Sequence, residues 1–473
     1  MWEMTGGLET HVELSTRSKI FCGCSTRFGE EPNTNCCPVC MGHPGTLPQL
    51  NREVVRYAIL AGLATHCTIR TDARMDRKNY LYPDLPKAYQ ISQYEKPLCE
   101  NGWLTLQNGR RIGIQRIHIE EDAGKLIHGQ GRTLVDYNRA GVPLIEIVTQ
   151  PDFHTPEEIR EYLESLQRLM RYLGISDCKM QEGSLRCDVN ISARRAGDTR
   201  PGTRTELKNM NSFTNIEKAV RYEFARQCRL LEEGQPVVQE TRRWEEQSGR
   251  TYPMRSKEDA QDYRYFREPD LPAIRVEPQE VEALRQMLPE LPEQKWKRYT
   301  EQLGLTAEDA LQLVKYRRVA EFFEAAVEGR RNPREGAHFI VGQMFRTFPT
   351  EEDKERFEVK ITPAQLGQLL ELMEQGRLRN NLAKGALEQM LATGRPVTDF
   401  VSREDMAQLR EAELLALCQK AMEALPQAAA DYRAGKEKAV KALVGGVMKA
   451  SRGRADAVRA EQQLRQLLDG RGE

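Results

Sequence analysis

The residues Gly7-Leu8-Glu9-Thr10-His11-Val12-Glu13-Leu14 set an imidazole between two carboxylates at a spacing of two. On a β-strand, side chains alternate faces, so Glu9, His11 and Glu13 share one face and Leu8, Thr10, Val12 and Leu14 the other. Such a row has the donors to hold a divalent cation or to move protons. An edge strand with a solvated polar face would carry the same residues. A further acid, Glu146, stands alone in the apolar, β-branched run Pro143-Leu-Ile-Glu-Ile-Val148. A carboxylate there is costly to bury unless a metal, a cation or hydrogen bonds satisfy it. Three consecutive acids, Glu120-Glu121-Asp122, close a strand-like segment that runs into Gly124. Carboxylates in such a turn can converge on a cation.

Two thiol pairs, Cys22-Gly-Cys24 and Cys37-Pro-Val-Cys40, flank a short loop. A tetrahedral zinc site needs that arrangement, each pair sitting on a tight turn. Four thiolates leave no open coordination position, so the site reads as a staple; Cys36 and His43 are spare ligand candidates. The stretch Asp76–Gln90 combines Arg77, Lys78 and Lys87 with Tyr80, Tyr82 and Tyr89. Pro83 and Pro86 argue against a helix or central strand. It reads as a rigid loop offering donors and stacking surfaces to a phosphate or nucleotide. No Gly-x-x-x-x-Gly-Lys-Ser/Thr loop occurs, so nucleotide phosphates would be held through metal and carboxylates. No convincing Ser/His/Asp or Cys/His nucleophile set occurs either.

The elements that must position these groups follow from pattern changes along the 473 residues, a length that suits two to four domains. Short β-like runs with many Gly and Pro turns fill residues 1–292. Helical apolar spacing, as in Val319, Phe322, Phe323, Ala326 and Val327, fills 293–400, and a second helical region fills 401–473. The fold class is therefore α+β. Lys and Arg together equal Asp and Glu at 70 each, so a polyanion could be held only by a local patch. One such patch lies between Asp431 and Arg459, with eight Lys or Arg against three Asp or Glu. Eleven cysteines, clustered and odd in number, fit a reducing compartment. No apolar run suits a membrane span and no leader pattern opens the chain, so a soluble cytoplasmic protein without a membrane partner is expected.

Taken together, residues 7–14, 76–93, 119–125, 138–148, 183–192, 206–213 and 262–269 resemble the GatB/GatE family, the B subunits of bacterial tRNA-dependent amidotransferases. The resemblance runs over nearly the full length. It implies an ATP-dependent carbon–nitrogen ligase with glutamine as amide donor. The side-chain carboxylate of Glu-tRNA(Gln) or Asp-tRNA(Asn) would be phosphorylated, then amidated by ammonia from an amidase (glutaminase) partner. A small third polypeptide would complete a heterotrimer. The resemblance also implies an antiparallel-sheet cradle like the catalytic fold of glutamine synthetase. Magnesium would be held by Glu9, His11, Glu121 and Glu146, with Glu120 the alternative to Glu121. Lys78 and Lys87 would neutralise phosphate or gate a channel, and Tyr80, Tyr82, Arg186 and Lys208 would join Lys78 at ATP. Cys22, Cys24, Cys37 and Cys40 match the zinc set some members retain. The tail is expected to be a YqeY-like tRNA-binding domain, touching tRNA through Lys436, Lys438, Lys441, Lys449 and Arg452. Two competing readings are a zinc-stapled tRNA-binding protein without chemistry and a metal-dependent hydrolase acting alone.

Overall fold

The structure, a computed structural model, describes residues 1–129, 131–256, 262–402, 411–451 and 455–470. The chain forms two compact units, Met1–Leu291 and Pro292–Glu473. The first is built on a nine-stranded sheet: β1 (Trp2–Glu13), β2 (Thr68–Ile69), β3 (Cys99–Thr105), β4 (Arg111–Glu121), β5 (Pro143–Thr149), β6 (Leu185–Arg195), β7 (Thr205–Lys208), β8 (Glu240–Glu245) and β9 (Arg250–Ser256). Their spatial order is β9-β8-β7-β6-β1-β5-β4-β3-β2. Every pairing is antiparallel except that of β7 with β8.

Period-two alternation sorts the middle of this sheet into two unlike faces. Leu8, Thr10 and Val12 of β1, Ile145 and Ile147 of β5, Ile117 and Ile119 of β4, and Val189 and Ile191 of β6 are all buried. All of them but Thr10 join one apolar core with helices α1 (Arg52–Ala64), α2 (Pro156–Tyr172) and α3 (Phe213–Glu232). Helix α2 starts where Thr155 and Glu158 form a capping box ahead of Pro156, and it buries Ile159, Tyr162, Leu163, Leu166 and Met170. The opposite face of the sheet is left to the ionic residues.

The expectation that Asp76–Gln90 is loop throughout needs correction. Asp76–Asn79 and Tyr89–Ser92 pair as antiparallel strands, joined on the outer side by Phe266–Arg267. Both prolines fall in the connection between them, where no ladder bond is lost.

The second unit is helical among its described residues. Arg317–Val327 buries Val319, Ala320, Phe322, Phe323, Ala326 and Val327 along one face. Residues 299–401 supply one apolar cluster and residues 414–468 another. No helix among the described residues is long and apolar enough to cross a membrane.

One buried network fixes the ionic end of the sheet to its helical layer. The Glu223 carboxylate of α3 is fully buried. It accepts from Thr205 Oγ1 of β7 at 3.1 Å, Thr251 Oγ1 of β9 at 2.9 Å and Arg226 Nε at 2.9 Å, and pairs with Arg242 of β8 at 3.4 Å. Removing the acid leaves Arg226 and Arg242 with Glu240 as their one remaining carboxylate among the described residues and two threonine hydroxyls without their acceptor, at a cost of about 3 kcal/mol. Glu223→Leu should therefore release hydrogen-exchange protection in β7, β8 and β9 while the 414–468 cluster keeps its own. Unchanged protection of those strands would contradict the role assigned to Glu223.

Candidate functional site

The register of the middle strands turns the sequence spacing into rows across the polar face. Arg186 of β6, His11 of β1, Glu146 of β5 and His118 of β4 stand side by side. The next row holds Asp188, Glu9, Val148 and Arg116, and on the other side lie Glu13, Leu144 and Glu120. Four strands from distant parts of the chain thus bring acids and two imidazoles onto one surface.

At its centre, one ligand atom each from His11, Glu120 and Glu146 lie within 4.8 Å of one another, a spacing one cation can span. His11 Nε2 is 3.4 Å from Glu120 Oε1 and 3.9 Å from Glu146 Oε2, and His118 Nε2 is 3.0 Å from Glu146 Oε2. Burial drives the Glu120 carboxyl above its ordinary range. Burial would also raise Glu146, but His118, His11 and Lys78 outweigh it and hold that carboxyl low. Glu9 is raised by burial and then by Glu146; its Oε1 accepts from Asn190 Nδ2 at 2.9 Å. It flanks the three-residue cluster rather than belonging to it. Glu13 is raised to about 8 by burial and by the neighbouring Asp122, which Arg186 and Arg139 hold low against its own burial.

The structure sets Glu121 apart from this cluster. Strand parity turns it to the side away from His11, where Lys87 Nζ donates to its Oε2 at 2.6 Å and the Ile91 amide to its Oε1 at 2.8 Å. Lys87 is seated by Gly42, whose left-handed turn leaves no room for a Cβ beside the Lys87 stem. Arg186 and Lys208 are likewise engaged within the protein. Arg186 Nη2 donates to Asp122 Oδ2 at 2.8 Å; Lys208 pairs with Asp188, and with Glu206 at 3.1 Å. The Lys78 ammonium lies over the Tyr263 ring at 4.7 Å and the Tyr80 ring at 5.9 Å, while Tyr82 is exposed. His118 stands in the row of His11 and Glu146 without being among the candidates named from the sequence. Its signal was present, since Ile117 and Ile119 are apolar and parity sets His118 and Glu120 on the other face.

Along the same face, beyond Glu9, lies a cavity of about 490 Å³ lined by Thr5, Gly7, Arg116, Asn190, Ser192 and Arg204 among others. Thr5 Oγ1 and Arg116 Nε are buried with no hydrogen-bond partner among the described residues. Polar atoms in that condition are paired by something in a working protein.

The sulfurs of Cys22, Cys24, Cys37 and Cys40 also lie within 4.8 Å of one another and could hold a metal such as zinc. Hydrogen bonding from Cys22, then from the Cys37 amide, and the nearby Lys19 hold the Cys40 thiol down at about 4 despite burial. In the tail, Lys436, Lys438, Lys441 and Lys449 are exposed, Lys436 pairing with Asp431 at 3.2 Å. Arg452 lies outside the described residues.

The parity of β4 separates two neighbouring acids experimentally. Glu120→Gln should weaken Mn2+ binding to the sheet face by about tenfold or more, and Glu121→Gln should leave it within about twofold, read by electron paramagnetic resonance titration. The reverse ranking would place the cation on the other face.

Comparison with known proteins is consistent over the whole chain. Residues 4–282 match the family model described as the GatB/GatE catalytic domain, and residues 321–468 match the GatB domain. Among curated relatives, the aspartyl/glutamyl-tRNA(Asn/Gln) amidotransferase B protein of Caldanaerobacter subterraneus is 51% identical over 472 residues, 99% of each chain. The proteins of the same name from Carboxydothermus hydrogenoformans and Brevibacillus brevis are 50% and 44% identical, again over 99% of each chain. The chain belongs to the GatB/GatE family and is similar, end to end, to the B subunits of aspartyl/glutamyl-tRNA(Asn/Gln) amidotransferases.

Proposed function

We propose that this chain activates the side-chain carboxylate of a misacylated tRNA, Glu-tRNA(Gln) or Asp-tRNA(Asn), by phosphorylation from ATP, and then lets ammonia convert it to the amide. The observation that carries this reading is the continuity of the metal-competent cluster His11, Glu120 and Glu146 with the cavity beyond Glu9 on one sheet face. An antiparallel sheet carrying acids and imidazoles on its open face also supports the likeness to the glutamine synthetase cradle.

A carboxylate does not accept ammonia at neutral pH, because its oxygen is a poor leaving group. Transfer of the terminal phosphoryl group to that oxygen gives an acyl phosphate and a nucleoside diphosphate. Ammonia then attacks the carbonyl carbon, phosphate leaves with the C–O electron pair, and the nitrogen sheds a proton. Magnesium held by His11, Glu120 and Glu146, with Glu9 alongside, would neutralise charge on the phosphate oxygens. The chain's own groups do the rest. His118, beside Glu146 on the neighbouring strand, orients it through a 3.0 Å contact. Thr5, Arg116, Asn190 and Arg204 have the donors and acceptors for the nucleoside and its phosphates. Lys78 is an ammonium near Glu146 that can follow developing phosphate charge. Lys87 and Glu121, on the far side of the sheet, are suited to regulate ammonia entry. Partial burial of the reacting face limits loss of the acyl phosphate to water.

The four thiols suit structural zinc, since a closed set of four sulfurs is its preferred tetrahedral shell. Ammonia would come from a separate glutaminase polypeptide acting on glutamine, and a small third polypeptide would complete the assembly. In a separate tail domain, from about residue 401, exposed Lys436, Lys438, Lys441 and Lys449 suit sequence-independent contact with tRNA phosphates.

The test is transamidation of both misacylated tRNAs by the reconstituted three-protein complex, with and without ATP. Glu146→Gln should lower ATP-dependent amide formation by about a hundredfold or more while glutamine hydrolysis persists. Amide formation that survives the substitution would favour a non-catalytic tRNA-binding protein, and loss of both activities together would contradict the division of labour.

A further inference from the structure

Lys19 is a buried cation with an unusual set of neighbours. Its side chain is fully buried. Its ammonium donates to Cys40 Sγ at 3.7 Å and to the Tyr137 carbonyl oxygen at 3.1 Å. Among the described residues no Asp or Glu oxygen lies within ion-pairing distance of it. Glu121 and Asp270, which line the same cavity, are taken by Lys87 and Arg77 respectively. An ammonium removed from water is costly unless an anion and hydrogen-bond acceptors satisfy it. The remaining source of negative charge within reach is the cysteine cluster.

The cluster has the matching problem. Zinc with four thiolates carries a net charge of −2, and Cys40, the ligand nearest Lys19, is buried. One ammonium against it halves that charge. We propose that Lys19 is the counter-ion of a four-thiolate zinc centre and, through the Tyr137 carbonyl, ties that centre to loop 137–141. The inference rests on the zinc reading of the four cysteines.

The tie has further strands. The Asn35 amide donates to Asn138 Oδ1 at 2.8 Å, the Tyr137 amide to Asn33 Oδ1 at 2.8 Å, and the Ile20 amide to the Gly141 carbonyl at 2.9 Å. Gly141 sits at φ +83°, a conformation glycine adopts freely, and its amide donates to the Asp122 carbonyl at 2.9 Å. Arg139 of the same loop donates to the carbonyls of Ala123 and Gly124 at 2.9 and 3.0 Å. The metal staple is thereby connected to the acidic turn that begins at Glu120. Lys19 acts as a positioning residue, since it touches a metal ligand and never the reacting groups.

Zinc affinity of the full chain, measured by competition with a chelator, tests this. Lys19→Met should weaken zinc binding by about 10–100-fold, and Lys19→Arg, which keeps the charge, should recover most of the loss. If the methionine chain binds zinc within about twofold of the unsubstituted chain, the counter-ion role is wrong. If the unsubstituted chain takes up no zinc, the zinc reading itself fails, and the two failures are distinct. Should Lys19→Met not fold, the unsubstituted chain still decides through amine acylation read by mass spectrometry. Lys19 should resist the reagent when zinc is bound and react once zinc is removed. Equal labelling of Lys19 in both forms overturns the proposal.

Discussion

Most of the site's geometry follows from the alternation of side chains on the four middle strands. The apolar set must be buried against α1, α2 and α3, so the residues between them are committed to the other face. A one-residue slip in any of these strands would turn its acids into the core. The burial of Leu8, Val12, Ile117, Ile119, Ile145 and Ile147 is therefore what turns Glu9, His11, His118, Glu120 and Glu146 onto one face. Core packing and site geometry are one constraint here.

Acids gathered on a partly dry surface repel one another, and the protein answers that repulsion in two ways. At the periphery it supplies cations of its own: Arg186 and Arg139 for Asp122, and Lys208 for Asp188 and Glu206. At the centre the imidazoles of His11 and His118 face Glu120 and Glu146, and no Lys or Arg lies within ion-pairing distance of those two acids among the described residues. An imidazole and two carboxylates are a divalent-cation set, whereas an arginine there would have closed the site. The contrast between paired periphery and open centre separates structural acids from those available to a ligand.

The sequence made part of this legible. The polar row on β1 and the lone Glu146 could be read because alternation is local and needs no knowledge of the partner strands. Glu120 was equally readable from the parity of Ile117 and Ile119; a position-by-position likeness pointed to Glu121 instead, and the structure sides with parity. The strands 76–79 and 89–92 were obscured because each has only four residues and the prolines between them dominate the pattern. The ion pairs Arg186–Asp122, Lys208–Asp188 and Lys87–Glu121 reach across 20 to 64 positions of sequence, and no local pattern encodes them. The buried setting of Lys19 was hidden for the same reason, since a lysine in a polar stretch reads as a surface residue.

Everything proposed for catalysis depends on this sheet face holding a divalent cation through His11, Glu120 and Glu146 beside a nucleotide. Anomalous scattering from crystals of the assembled complex grown with Mn2+ and a non-hydrolysable ATP analogue tests it most directly. The expected result is a manganese peak bounded by those three side chains, with the nucleoside in the cavity lined by Thr5, Arg116 and Asn190. A nucleotide bound with its manganese elsewhere, or a peak on Glu121 beside Lys87, would contradict it.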